Sequence, residues 1–349
     1  MRLAVTGGTG FLGNHLVSNL LAEGCELRVL ARRVGAFNGL ERVSVAAMDL
    51  RLEAGALGGL DDCHALVHLA GIFHESRGQR FDEVHRAGTD MLLAEARRAE
   101  IRRVIYVSAL GAAPDAKSRF LRSKWAAEEA IRESGMDWTI LRPSVIFGPG
   151  DLFMNRLASL WWLPIMPVIG DGSIRLQPVW VGDIVTAITS ALAEPKTTGQ
   201  TFELVGPRAM PMDAIVDVVE AATRSRRRPR VHLSAGVSRA LAHFLAVLPG
   251  SILTRDQVPF FFEDSTADGE ESRQSLRLPS EPFSVNTARE YLAPAGRRRL
   301  TPRGRQVGPL NDDEVARLIG SKPLTRLRLV TTASGSVPNS SGNPEEEEA

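Results

Sequence analysis

Short apolar runs alternate with amphipathic stretches over roughly the first 145 residues. Strands are predicted at 2–6, 26–31, 43–47, 65–70, 103–108 and 137–142, and helices near 11–23, 81–98 and 118–134. The strand candidates are near-continuous runs of Val, Ile and Leu, which suits a sheet covered on both faces. Strands that alternate with helices predict a doubly wound parallel α/β sheet with crossover helices.

After residue 148 the pattern loosens, because prolines and glycines interrupt residues 148–178. A short strand and a helix are predicted at 179–194, a strand at 201–205, and helices near 211–224, 235–248, 286–292 and 312–319. These elements suggest a second, smaller and mainly helical lobe that is interleaved with the last part of the sheet.

The expected organisation therefore has three parts. A first domain covers 1–148, and residues 179–205 return to it; the smaller lobe covers 149–178 and 206–330. Residues 331–349 are polar, rich in Pro, Gly and Ser, and contain four consecutive glutamates. Such a segment cannot bury enough apolar surface to offset its ordering entropy, so we expect an acidic, disordered tail.

Composition excludes several classes of protein. The net charge of +1 over 349 residues gives no general attraction to nucleic acid, and the basic runs lack interleaved aromatic residues. Two cysteines cannot form a disulfide framework, and no Cys/His spacing suggests a metal site. No signal sequence opens the chain and no apolar run is long enough to span a bilayer, so a cytoplasmic location is expected.

A glycine-rich segment, TGGTGFLG, follows the first strand directly and opens the first helix. Gly7 permits a tight turn, Gly10 lets the backbone approach a pyrophosphate, and Gly13 allows close helix–strand packing. The helix N-terminus offers N–H groups and partial positive charge to phosphates. This segment predicts a dinucleotide site on a Rossmann fold, with contacts from Gly7, Thr9, Gly10, Phe11, Leu12 and Gly13.

The ends of the next strands supply further candidate ligands of the dinucleotide. Arg32 ends the second strand, where an acid would hold a ribose hydroxyl and an arginine suits a 2′-phosphate, so NADP(H) is favoured over NAD(H). A surface arginine is the alternative. Asp49 and Leu50 follow the third strand, where the carboxylate can accept a hydrogen bond from adenine. Ala70 and Gly71 end the fourth strand with small side chains that can face the dinucleotide.

The motifs TGGTGFLG, HLAG, FLRSK and RPSVIFGPGD together resemble those of the extended or atypical short-chain dehydrogenases/reductases. The FLRSK segment, the QPVWVGD segment at 177–183 and the LTRDQV segment at 253–258 resemble more narrowly the family of the NAD(P)H-binding accessory subunit of mitochondrial complex I. The resemblance covers roughly residues 1–270. It implies that Ser108, Lys124, Pro143 and Val145 also line the dinucleotide site.

Active members of that superfamily pair a tyrosine with a lysine four residues later on one helix face. Here the lysine is Lys124, and Phe120 stands at the tyrosine position. Phenylalanine keeps the ring and removes the proton donor, whose contribution is typically ~10²–10⁴-fold. Ser108 and Lys124 are thus residual catalytic candidates, and weak or absent turnover is expected.

Two alternatives to this non-catalytic interpretation stay open. The protein could be an active NAD(P)-dependent oxidoreductase or epimerase/dehydratase that uses Lys124 alone, on a carbonyl compound or on a quinone. His85 could also supply a proton, although a surface histidine is the favoured interpretation. His68 is expected to be a packed core histidine.

The second lobe carries possible interaction surfaces. Five arginines at 224–230 precede an apolar stripe over 237–248, a pattern that suits either an anionic membrane surface or an ordinary core-facing helix. Aromatic clusters at 160–164 and 259–262 fit a partner, lipid or the core, and we favour the core for both segments. The expected partners are therefore a dinucleotide and either a protein or a membrane surface, with no nucleic acid and no metal.

Overall fold

The computed structural model describes residues 1–292 except 33–36, 38, 52–58, 77, 224–226, 239 and 241–257. The predicted helix at 312–319 and the acidic tail at 331–349 lie outside the described residues, as does most of the predicted helix at 235–248. The division into a first domain and a smaller lobe stays a prediction.

The central sheet has seven parallel strands, in the spatial order β11, β6, β5, β4, β1, β2, β3. All described strands are, in chain order, β1 Arg2–Thr6, β2 Glu26–Ala31, β3 Val43–Ala47, β4 Ala65–His68, β5 Arg103–Val107, β6 Asp137–Pro143, β7 Ile146–Phe147, β8 Met166–Ile169, β9 Arg175–Leu176, β10 Val179–Trp180, β11 Gln200–Leu204, β12 Met210–Pro211 and β13 Arg230–Leu233. This sheet confirms the doubly wound α/β prediction.

Helices cover both faces of the sheet. The helices of the described chain are α1 Phe11–Ala22, α2 Gly88–Arg98, α3 Arg119–Arg132, α4 Phe153–Ser159, α5 Val181–Ala193, α6 Met212–Ala222, α7 Glu270–Leu276 and α8 Val285–Tyr291. One apolar core joins α1 and α5 to the sheet, and a second core joins α2 and α3 to the opposite face. Burial on both faces explains why the central strands are continuous apolar runs.

Short helical turns complete the described chain. A π-helical turn, Asp82–Ala87, leads directly into α2, and 3₁₀ turns lie at Leu160–Trp162, Pro195–Thr197 and Val258–Phe261. The single predicted helix at 81–98 is therefore a π turn followed by an α-helix. Such turns are frequent at functional sites, and this one carries His85.

The later part of the chain builds a third apolar core around α4, α6 and α8. Three two-stranded sheets accompany these helices: β7 with β10, β8 with β13, and β9 with β12. Among the helices that the structure describes, none combines the length and the apolar composition that crossing a bilayer requires.

Candidate functional site

The glycine loop is closed by contacts that leave no space for larger side chains. Gly7 has a φ of +71°, and a Cβ atom there would lie 2.8 Å from the backbone nitrogen of Ala70. A Cβ atom on Gly13 would lie 2.2 Å from the carbonyl oxygen of Gly7. Gly10 is exposed, and its N–H donates to the carbonyl of Gly7 at 2.9 Å. The loop thus folds back on itself and turns Gly10 toward solvent.

The N-terminus of α1 is open toward this loop. Its N-cap residue is Gly10, no side chain caps the helix, and Asn14 N–H donates to the carbonyl of Gly10 at 2.9 Å. The N–H groups of Phe11, Leu12 and Gly13 precede that first helical bond, while Thr9 is half-buried beside them. This is the geometry that binds a phosphate. The glycine loop and the N-terminus of α1 thus form a cradle that fits the pyrophosphate of a dinucleotide.

A second loop, which contains Pro149 and Asp151, covers the start of α1. The sequence did not predict this contact. The His15 ring contacts the carbonyl of Pro149 at 2.9 Å and packs edge-on against Phe11, with ring centres 5.4 Å apart. Asp151 accepts the N–H of Met154 at 2.7 Å and so caps α4. Burial raises the pKa of Asp151 to about 6.

Arg32 and Asp49 lie together at the end of β2 and the end of β3. Arg32 is exposed, and its charge is one of the causes that lower the pKa of Asp49, after the larger effect of hydrogen bonds from Arg51. Arg51 Nε donates to Asp49 at 2.8 Å, so this carboxylate already holds a partner. Leu50 packs against Gly88, where a Cβ atom would lie 2.7 Å from that of Leu50.

The end of β4 faces the same loop. The N–H of Ala70 donates to Thr6 Oγ1 at 3.2 Å, and Gly71 is exposed. His68 is fully buried between Thr6 and Thr89, at 2.7 Å and 3.0 Å from their hydroxyl oxygens. Burial lowers the pKa of His68 to about 3, so it is the packed neutral histidine that the sequence suggests.

Lys124 projects from α3 to the carboxyl end of β5. Its Nζ donates to the carbonyl of Val107 at 2.7 Å, and a Cβ atom on Gly71 would lie 4.0 Å from that Nζ. Burial lowers the pKa of Lys124 to about 7, against the opposing charge of Glu128. Lys124 therefore lies at the carboxyl ends of the parallel strands, where open α/β sheets bind ligands.

Ser108 follows Val107, and its hydroxyl is buried without a hydrogen-bond partner in the described structure. Tyr106 lies on β5 beneath Lys124, with its ring centre 4.3 Å from Nζ. The hydroxyl of Tyr106 is buried, and burial raises its pKa well above the usual value. Tyr106 therefore shields the amine but does not present a phenol to the site.

Phe120 stands one turn before Lys124, inside a cluster of rings. Its ring stacks on that of Phe73 at 5.3 Å between centres and meets the edge of Phe260 at 5.6 Å. Phe81 contacts Phe120 at 6.0 Å. The position that would carry a catalytic phenol is thus part of an aromatic wall.

His85 is buried, which corrects the expectation of a surface histidine. Its Nε2 accepts the N–H of Ile72 at 3.0 Å, and its Nδ1 lies 2.7 Å from the hydroxyl of Ser123. Because Ser123 donates its own hydrogen to the carbonyl of Phe120, Nδ1 carries the ring proton. Burial lowers the pKa of His85 to about 2. Both ring nitrogens already have hydrogen-bond partners within the fold.

Glu128 was not singled out in the sequence, yet it anchors α3. The carboxylate is fully buried and pairs with Arg132 at 2.7 Å and with Arg142 at 2.6 Å. Arg142 belongs to β6, so this pair of bonds fixes the helix of Lys124 on the sheet. A sequence signal exists, because Glu128 lies four residues after Lys124 on the same helix face.

Several residues of the resemblance motifs have structural positions. Gln177 donates to the carbonyl of Gly206 at 2.8 Å, and Asp183 accepts the N–H of Glu281 at 3.1 Å. Burial raises the pKa of Asp183 to about 7. Pro143 is buried at the end of β6, and Val145 accepts the N–H of Val179 through its carbonyl.

The described arginines of the 224–230 cluster face acidic residues of α6. Arg228 pairs with Glu220 at 2.9 Å, and Arg230 pairs with Asp213 at 3.4 Å. In the stripe that follows them, Val237 is exposed and residues 241–248 lie outside the described part. Arg228 and Arg230 therefore belong to a largely buried ion-pair network, whereas the Arg227 side chain is 80% exposed.

The aromatic segment at 160–164 departs from the expectation that it packs in the core. Trp161 and Trp162 are 37% and 57% exposed, whereas Leu160 is buried. In the second aromatic segment, Phe262 is exposed and Phe260 joins the ring cluster at Phe120. Among the described residues, no group of three His, Cys, Asp or Glu could hold a metal ion.

An open helix N-terminus above a tight glycine loop, at the carboxyl ends of parallel strands, defines a dinucleotide-binding α/β protein. Residues 3–204 match the model of the NAD dependent epimerase/dehydratase family. The chain belongs to that family, whose members bind nicotinamide dinucleotides.

Two curated relatives illustrate the range of the family. NADH dehydrogenase (ubiquinone) 1 alpha subcomplex subunit 9, mitochondrial, of Arabidopsis thaliana is 30% identical over 252 residues, which cover 68% of this chain and 61% of the relative. The ceramide reductase of Caulobacter vibrioides is 35% identical over 205 residues, 55% of this chain and 61% of the relative. The chain thus spans about three fifths of the length of each of these two relatives.

Among solved structures, the dTDP-glucose 4,6-dehydratase of Streptomyces venezuelae with NAD bound has a TM-score of 0.64. It is 20% identical, and the match covers 83% of this chain and 95% of that one. At this identity the likeness shows the fold alone. The chain thus resembles the complex I subunit in sequence and the nucleotide-sugar enzymes in architecture.

Proposed function

We propose that this protein binds NADP(H) and turns it over slowly or not at all. The single observation that carries the proposal is Phe120, which holds the tyrosine position beside Lys124 inside an otherwise complete cradle. The ring is packed by Phe73, Phe81 and Phe260, so it is held by apolar contacts and offers no proton. A bound nicotinamide would supply hydride, but among the described residues no accessible phenol lies beside Lys124 to move the accompanying proton.

Other candidate proton donors near Phe120 are engaged by the fold. His85 uses one nitrogen for Ile72 and the other for Ser123. Tyr106 is buried beneath Lys124. Ser108 remains at the strand end, but an aliphatic hydroxyl is a far weaker acid than a phenol. This arrangement supports cofactor holding as the principal role.

The exposed Arg32 favours NADP(H) over NAD(H) in this proposal, because its guanidinium stands at the end of β2 where a ribose 2′-phosphate would lie. Its charge is not consumed by a short ion pair with Asp49, which Arg51 holds instead. The glycine loop, Ala70 and Gly71 would hold the rest of the dinucleotide, and Lys124 would hold the nicotinamide ribose.

An active NAD(P)-dependent oxidoreductase or epimerase/dehydratase is the second candidate. The observation in its favour is Lys124, whose buried amine has a pKa of about 7. An amine that titrates near neutrality can donate a proton to a carbonyl or quinone oxygen. In that case Lys124 would replace the missing phenol.

The relative named as a complex I subunit favours a protein partner for this chain as well. A location in the cytoplasm, either free or at the inner face of a membrane, completes the proposal. The exposed Trp161 and Trp162 are the surface that we assign to such a partner or membrane.

The test combines native mass spectrometry with turnover measurements. We expect the purified protein to retain a dinucleotide of NADP mass, and to oxidise NADPH only slowly with carbonyl compounds and quinones. Phe120→Tyr is expected to raise the turnover number by about 10²-fold or more, since it restores a proton donor four residues before Lys124.

Phe260→Tyr is the matched control, because it adds the same hydroxyl to a neighbouring ring without the spacing to Lys124. We expect no comparable gain from it. Rapid multiple turnover by the unmodified protein would favour the oxidoreductase alternative. If the protein bound neither NADP(H) nor NAD(H), the proposed function would be wrong.

A further inference from the structure

The ring cluster around Phe120 has an exposed face. Phe73 follows β4, its side chain is 61% exposed, and its ring still stacks on Phe120 at 5.3 Å with only 24° between the planes. Phe260 reaches the same ring from a turn late in the chain, at Val258–Phe261. Segments far apart in sequence thus combine to present aromatic surface beside Lys124.

Three cations at the start of α3 already have partners within the fold. Arg119 pairs with Glu75 at 2.8 Å, and Lys117 pairs with Glu263 at 2.7 Å. Arg122 donates to the carbonyl of Lys117 at 3.0 Å. A nucleotide sugar needs cations or N–H groups for its phosphates. This rim of paired charges around an aromatic wall is therefore poorly suited to such a substrate.

One polar atom remains open near the amine of Lys124. Ser108 follows Val107, whose carbonyl accepts from Lys124, and its hydroxyl is buried with no hydrogen-bond partner within the described structure. Buried polar groups are normally paired, so a hydroxyl left open beside Lys124 points to a ligand oxygen. A mostly apolar site with a few placed polar groups is the usual form of a small-molecule pocket.

We propose that the surface formed by Phe73 and Phe260, which pack on the buried ring of Phe120, binds an apolar substrate. The substrate would carry one carbonyl or hydroxyl oxygen on a long alkyl chain. Its chain lies against the rings, and its oxygen reaches Ser108 and Lys124. The inference rests on the proposed function, because it assigns the substrate class of the same site, and it excludes nucleotide sugars from that site.

The test is isothermal titration of 1-decanol and, separately, of UDP-glucose into the full-length protein. Each titration is done with and without saturating NADPH. An alcohol does not react with NADPH, so only binding is measured. We expect 1-decanol to bind and UDP-glucose not to bind. Phe73→Asp is expected to weaken 1-decanol binding at least about ten-fold, because the carboxylate removes apolar contact. The dissociation constant of NADPH should stay unchanged.

Val231→Asp is the control, since it places the same carboxylate at an exposed apolar position on β13, in another sheet. It should bind 1-decanol like the unmodified protein. Absence of 1-decanol binding, equal binding by Phe73→Asp, or a preference for UDP-glucose would each overturn the inference. If NADPH does not bind while 1-decanol binding still depends on Phe73, the proposed function fails and the apolar site stands.

Discussion

The amine of Lys124 lies 4.3 Å from the centre of the Tyr106 ring, and it donates to the carbonyl of the next residue, Val107, at 2.7 Å. Both contacts are to β5, so they fix α3 against the strand end. Glu128, one turn further along α3, faces Arg132 and Arg142 instead. The amine is thus buried without a carboxylate in direct contact, which explains why its pKa falls to about 7.

This burial predicts a pH dependence of stability. Folding lowers the pKa of Lys124 from 10.5 to about 7, so between these values the unfolded chain binds a proton that the folded chain has released. The free energy of unfolding should therefore rise with pH in that window, by up to ~1.4 kcal/mol per pH unit relative to Lys124→Met. Urea unfolding of both proteins at pH 7, 8 and 9, without dinucleotide, measures this difference.

Lys117→Met serves as the control in the same experiment, because the Lys117 side chain is 80% exposed. Its unfolding free energy should follow that of the unmodified protein across the three pH values. If Lys124→Met also followed it, the lysine would keep its proton on folding. The low pKa, and with it the alternative catalytic role of Lys124, would then be wrong.

Gly13→Ala should disable the phosphate cradle. The new methyl group would lie 2.2 Å from the carbonyl oxygen of Gly7 and 2.6 Å from Gly8 Cα, and these are backbone atoms that move only with the whole loop. We expect the dissociation constant of NADPH to rise at least about ten-fold, since the third glycine sets the helix close to the strand. Fluorescence titration with NADPH measures it, and circular dichroism checks that the fold is intact.

Gly236→Ala is the matched change, because no atom of a described residue outside its own helix lies within 4 Å of a Cβ at that position. It should bind NADPH normally. Equal affinities in Gly13→Ala and Gly236→Ala would mean that the glycine loop does not contact the dinucleotide.

Arg32→Ala should separate the two coenzymes. A charge-assisted hydrogen bond to a phosphate contributes ~1.5–3 kcal/mol, so the dissociation constant of NADPH should rise about 10- to 100-fold while that of NADH stays the same. Arg28→Ala on the same strand, where Arg28 bonds to Ser44 at 2.6 Å, should change neither constant. An equal effect of Arg32→Ala on both coenzymes, or no effect, would contradict the assignment of NADP(H).

Glu128→Gln should be strongly destabilising. The carboxylate is fully buried between Arg132 and Arg142, and removing one partner of a buried ion pair costs ~3–5 kcal/mol of unfolding free energy. Its neighbour Glu129 also pairs with Arg132, but its side chain is 40% exposed, so Glu129→Gln should cost less than ~1 kcal/mol. Urea unfolding of the two variants compares them directly, and similar losses would contradict the anchoring role of Glu128.

The strands of the sheet can be predicted from the sequence, because the central ones, such as β4 and β5, are almost fully buried and therefore apolar. The predicted bounds 2–6, 26–31 and 43–47 coincide with β1, β2 and β3, since each strand is a short segment rich in apolar residues. The region 148–178 gives no such signal. Its strands β8 and β9 have only four and two residues, and their partners β13 and β12 lie far along the chain.

Part of the candidate site can likewise be predicted from the sequence, and part of it cannot. The glycine spacing predicts the loop, because the close approach of Gly13 to Gly7 is made within a few residues of sequence, whereas the contact of Gly7 with Ala70 comes from a distant strand end. The aromatic wall is not predictable, because Phe73 and Phe260 reach Phe120 from distant segments. His85 was placed wrongly for the same reason: Ile72 and Ser123, which belong to other segments, enclose its ring.

The edge strand β11 at Gln200–Leu204 has a consequence for dissecting the molecule. It pairs with β6 along its whole length, although more than fifty residues separate the two strands in the chain. A fragment truncated at residue 148 would therefore leave the backbone of β6 unpaired along one side, and open strand edges recruit other chains. Such a piece should precipitate or associate with itself, so biochemical work on the cradle needs the polypeptide at least through residue 205.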